Sequence, residues 1–168
     1  MHGSFWNFSL KVYAAPNVGD ACISLQDGYG IDVNLLLFAA FIGRNGGTLS
    51  EREVGEIIAL VRDWHEHAVK PLCGARRAMK RMLESDSIKD PQAIVALRSR
   101  VKADELEAER IEQDWLNDCA SNRALGRTNS DPEAAVRANI RLLQVACNAG
   151  DAPAPERLIA VTLAQRPL

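Results

Sequence analysis

The chain has 168 residues, in which 20 Lys and Arg against 22 Asp and Glu leave a formal charge of −2, and only nine side chains are aromatic. That length suits a single domain, and the balanced charge speaks against the strongly basic surfaces of nucleic-acid binders and the strongly acidic composition of disordered chains. The longest apolar run, Leu35 to Ile42, has eight residues, against the roughly 20 needed to cross a bilayer.

The opening segment MHGSFWNFSLK has no cationic start followed by an apolar stretch and a small-residue cleavage site, so cytoplasmic residence is the expectation. Cys22, Cys73, Cys119 and Cys147 are widely spaced, with no CxxC pair. They read as reduced, mostly buried thiols, and no cofactor is predicted. The composition is uneven along the chain. Residues 1–50 hold only five charges (Lys11, Asp20, Asp27, Asp32, Arg44) but seven of the nine aromatics, and so should form the interior.

Apolar residues recur at helical spacing nearly throughout, which predicts an all-α, single-domain bundle of about six to eight helices. The first helix runs from a Ser4 cap to about Ala14, before Pro16. The second runs from about Val18 to Gln26 and should stop at the Gly28/Gly30 pair. Asp32 caps the third, about residues 32–43, whose VNLLLFAAFI run is apolar on every side and must therefore be the central, buried helix. A fourth opens with a capping box, Ser50 and Glu53, and carries the stripe Val54, Ile57, Ile58, Val61, Trp64, Ala68.

Pro71 should kink or end that helix, and the basic segment LCGARRAMKRML follows as a fifth. Asp90-Pro91 opens a long sixth helix with an apolar stripe of Ile94, Leu97, Val101, Ala108, Ile111 and Trp115. Asp131-Pro132 repeats the signal for a seventh, ended by Gly150. Residues 1–150 thus read as the helical domain, and 151–168 as a tail or short docking helix, Glu156 to Gln165.

Three polar features stand out. Asp27 lies at a helix C-terminus, against the negative end of the macrodipole, so it should have a partner. That partner is either Arg76 or Arg77, tying two helices together, or a polar pocket. The candidate pocket set is Tyr13, Gln26, Asp27, Asn34, Arg76, Arg77 and Glu109. Asp63 and His67 share a helix face at i, i+4 and are weak metal candidates, because no third ligand is designated; His65 projects elsewhere, and a solvated face explains the group better. Finally, residues 70–102 hold nine positive against three negative side chains, and residues 103–118 seven negative against one positive. In an antiparallel pair of helices the two blocks would complement each other. The rival is an exposed basic patch for nucleic acid, which lacks interleaved aromatics. No phosphate loop, serine elbow or HExxH motif is present.

The string FWNFSLKVYAAPNVGDACISLQDGYGIDVNLLLFAAFIG, residues 5–43, resembles the opening signature of a family of small proteobacterial conserved-hypothetical proteins, a domain of unknown function. Trp64, Pro71-Leu72, Arg76-Arg77, Lys80 and the segment ELEAER (residues 105–110) extend the resemblance over most of residues 5–118. It implies an all-helical bacterial cytosolic protein with no established activity. Phe41 and Cys73 stand where the pattern has Trp and Arg, and His65 and His67 where it has other polar residues.

These readings favour a binding or adaptor module for a protein or small-molecule partner. An enzyme with a polar pocket around Asp27, Asn34 and Arg76 is the alternative, and nucleic-acid binding through the basic fifth helix is a distant third. Homo-oligomerisation stays open.

Overall fold

The structure, a computed structural model, describes residues 4–85, 88–126 and 131–165. His2, Asp86, the end of the polar loop before Asp131 and the last three residues lie outside that range. The described residues form an all-α helical bundle: α1 Ser4–Tyr13, α2 Val18–Tyr29, α3 Val33–Arg44, α4 Glu51–Trp64, a π-helical turn His65–Val69, α5 Lys70–Met82, α6 Pro91–Arg123, α7 Pro132–Ala146 and α8 Glu156–Ala164. They divide into two compact units, the first made of Met1–Leu60 and Gln113–Leu168, the second of Val61–Glu112. Among the described residues no helix is long and apolar enough to cross a membrane.

The first unit is organised by α3. Ten consecutive residues of this helix, Asn34 to Gly43, are buried, so it is enclosed on every side, as its missing polar face requires. It packs against α1, α2, α7 and α8. Phe5 and Phe8 of α1 meet Phe38 and Phe41 of α3 in an aromatic cluster, with the Phe5 and Phe38 rings edge to face at 5.1 Å. Among these helices α7 packs most extensively on α3. Gly43 makes that approach geometrically feasible, since a Cβ there would lie 2.6 Å from the Val136 backbone.

Buried Asn139 of α7 then ties down the following turn. Its Oδ1 accepts from Leu49 N at 2.8 Å, and its Nδ2 donates to the carbonyls of Gly47 at 2.8 Å and Ala39 at 3.2 Å. One side chain thus supplies a partner to three buried backbone groups, two in the turn and one in α3. Helix α8 belongs to this core too. Leu158, Ile159, Val161 and Thr162 of α8 are buried, and α8 contacts α1, α2, α3 and α7.

Four helix starts follow the sequence signals. Asp32 Oδ1 accepts from Asn34 N at 2.8 Å, Asp90 Oδ1 from Ala93 N at 3.0 Å, and Asp131 Oδ2 from Ala134 N at 3.0 Å. Ser50 and Glu53 close their box reciprocally, Ser50 N donating to Glu53 Oε2 at 2.8 Å and Glu53 N to Ser50 Oγ at 3.3 Å.

Helix ends meet expectation in one place and depart from it in two. Helix α2 stops at the Gly28/Gly30 pair: it runs through Gly28 to Tyr29 and ends at Gly30, which takes the left-handed conformation (φ 70°) and donates its N–H to Gln26 O. A lone helical glycine weakens a helix without ending it. Helix α7 stops at Ala146 rather than Gly150, with Asn148 in the left-handed region (φ 57°) doing the work expected of glycine. Pro71 neither ends nor visibly breaks its helix: α4 passes through the π-turn directly into α5.

Replacing Gly43 by Ala is expected to destabilise the protein by about 1–3 kcal/mol, because backbone rather than a mobile side chain blocks the new methyl. The same change at Gly55, where a Cβ meets nothing within 4 Å, should stabilise by about 0.5–1 kcal/mol through the lower helix cost of Ala. Thermal unfolding of the two variants, side by side, checks the opposite signs.

Candidate functional site

In the second unit the chain runs out along the π-turn and α5 and returns along α6. The π-turn is a local answer to Pro71. A proline in a continuous α-helix lacks one N–H and presses its ring on the carbonyl four residues earlier. Here the Lys70 N–H instead reaches back five residues to His65 O, and the widened turn carries the chain past the proline. The extra residue also shifts which side chain faces inward. Strict α spacing puts Ala68 on the stripe after Trp64, whereas Val69 is the one buried.

Three contacts join this strand of helix to α6. Trp64 Nε1 donates to Ala108 O at 2.9 Å, His65 Nδ1 lies 3.3 Å from Glu112 Oε2, and the Arg76 guanidinium grips the Glu105 carboxylate, Nη2 to Oε1 at 3.0 Å and Nε to Oε2. Both carboxylates are withdrawn from solvent, Glu112 completely and Glu105 nearly so. The hydrogen bond that Arg76 donates to Glu105, opposed by partial burial, raises the Arg76 pKa above its ordinary value. Burial and the Glu105 charge push the neighbouring Cys73 thiol up.

The inward face of α6 therefore differs from the expected stripe. Leu97 and Trp115 are exposed, while Glu105, Ala108 and Glu112 are buried. Counting from Val101 in steps of three and four reaches residues 105, 108, 112 and then Leu116, so two carboxylates occupy positions the helical period assigns to apolar side chains. That substitution was the sequence signal for this centre. His65, set aside in favour of Asp63 and His67, is the partly buried member of the DWHEH segment; Asp63 and His67 are exposed.

The sequence-derived pocket set divides between the units, with Tyr13, Gln26, Asp27 and Asn34 in the first and Arg76, Arg77 and Glu109 in the second. Within the first unit Asn34 is buried and its Oδ1 accepts from Gln113 Nε2 at 2.7 Å, a buried amide pair. The other oxygen of this pair, Gln113 Oε1, has no hydrogen-bond partner among the described residues. Gln26 is half-buried, and Tyr13 and Asp27 are exposed. Within the second unit Arg76 is committed to Glu105, and Arg77 and Glu109 are half-buried. The complementarity of basic and acidic blocks is realised at Arg76 and Glu105.

An all-α protein whose second unit buries two carboxylates, one answered by an arginine and one by a histidine, defines a helical domain with a polar centre. The particular family follows from the comparisons: a model for proteins of unknown function (DUF2390) matches residues 4–116, and the chain belongs to that family. No curated protein and no solved structure matches the chain.

Two outcomes check the local chemistry. Arg76→Met should cost about 1–3 kcal/mol in thermal or urea unfolding, because Glu105 is left nearly buried without its cation. Cys22, fully buried, has its thiol pushed up to about 12 by desolvation. Near pH 8 it should therefore be the last of the four cysteines to alkylate in the native protein, by mass mapping, and react only as the chain unfolds.

Proposed function

We propose that the protein is a binding module for a small ligand, with the His65–Glu112 centre of the second unit as its contact point. One observation carries this reading: a glutamate with no solvent exposure faces an imidazole in the π-helical turn, where the described helix departs from α geometry. A buried carboxylate is expensive, and removing its partner typically costs several kcal/mol. An apolar residue at position 112 would continue the stripe from Ala108 to Leu116 without that cost, so a charge retained there fits a role in recognition. π-turns, which insert a residue and re-aim side chains, are frequent at such sites. The binding reading takes precedence over the enzyme alternative built on Asp27, Asn34 and Arg76, because Arg76 is already committed to Glu105.

Thermal-shift measurements with a panel of small amines, divalent cations, carboxylates and phosphates test the reading. A ligand at 100 times its Kd adds about 2.7 kcal/mol to stability. At least one class should therefore raise the Tm of the native chain by several degrees and leave that of Glu112→Gln unchanged. No shift with any class, or equal shifts in both proteins, would count against it.

A further inference from the structure

We infer that the His65–Glu112 centre binds a divalent transition-metal ion, zinc in the first instance, with His65 Nδ1 and Glu112 Oε2 as two of its ligands. The inference deepens the binding reading and rests on it. The two atoms stand 3.3 Å apart, longer than the 2.7–2.9 Å or so of a charge-assisted N–H to carboxylate bond. The separation suits ligands sharing one ion. A tetrahedral zinc about 2.0–2.1 Å from each donor holds its ligand atoms about 3.3–3.4 Å apart.

The donor types agree with that ion. An imidazole nitrogen with a carboxylate oxygen suits zinc or iron, whereas magnesium and calcium take oxygen donors alone. Burial agrees as well: Glu112 is wholly inaccessible and the His65 side chain 14% exposed, so an ion there would be shielded from bulk water. The carboxylate would be neutralised by a full positive charge instead of by an imidazole that must be protonated to supply one.

The neighbouring contacts hold both ligands. Trp64, one residue before His65, is anchored to Ala108 O, one helical turn before Glu112. The pair thus belongs to a braced stretch, which is what a metal site needs from its surroundings. Among the groups nearby in the chain, Asp63 and His67 are exposed and provide the competing location.

Zinc titration of the full chain by calorimetry tests the inference. One ion per chain should bind, and His65→Ala and Glu112→Gln should each weaken binding by at least about ten-fold, while His67→Ala leaves it unchanged. Should either variant fail to fold, cobalt(II) substitution of the native chain provides the second readout. A ligand-field spectrum of low coordination number should appear, together with a zinc-dependent shift of the His65 imidazole resonances.

Absence of zinc binding to the native chain, binding unaffected by both substitutions, or loss of binding on His67→Ala alone would overturn it. If zinc fails while another class in the thermal-shift panel acts through Glu112, the metal assignment falls and the binding reading stands. If nothing in the panel acts, both fall.

Discussion

A helix with no polar side must be surrounded, and the first unit is the consequence of that constraint. From Asn34 to Gly43 α3 offers water nothing, and each large side chain it buries contributes about 1.5–3 kcal/mol. Four helices cover it, and they do so at close range. The aromatic face is met by Phe5 and Phe8, while the C-terminal end is met by the α7 backbone, which Gly43 admits. Asn139 then satisfies the carbonyls and amide left at the end of the enclosed helix. Without it, the α3–α4 turn would bury backbone groups at a cost of about 1–3 kcal/mol each.

The second unit runs on a different principle. It has few large buried apolar side chains; α5 has no buried residue at all. Its cohesion owes more to charged and polar contacts with α6: an arginine fork on Glu105, an indole N–H on a backbone carbonyl, and an imidazole against Glu112. Such contacts contribute less net stability than apolar packing does. They impose instead a definite geometry and a definite charge, and a unit held this way is a natural place for ligand chemistry. The π-turn belongs to the same economy of means, since the residue it inserts ahead of Pro71 shifts the inward position from Ala68 to Val69.

Legibility varied with the range of the physical cause. Four N-caps were readable, because a cap is a matter of a few adjacent residues: Asp32, Ser50, Asp90 and Asp131 all cap as their spacing indicated, whereas the Ser4 hydroxyl, expected to cap α1, donates to Asn117 instead. Stops were read less well. The Gly28/Gly30 pair does stop α2, at Gly30, but Asn148 stops α7 before the expected Gly150. The pocket residues were chosen as charges in an apolar neighbourhood. That logic found Asn34 and Arg76 but passed over Glu105 and Glu112, which sit in the acidic block of residues 103–118. Their position in the helical period was the better guide.

The all-α class, the caps, the burial of α3 and the two opposed charge blocks were determined by the sequence alone, because each depends on periodicity or on neighbours a few residues away. The tertiary structure decided how α3 and α7 approach through Gly43, where Pro71 is absorbed, and which carboxylates go inside. Those outcomes depend on groups tens of residues apart in the chain. Whether Glu105 and Glu112 can be buried is settled only when Arg76 and His65 arrive beside them, and no local pattern carries that information.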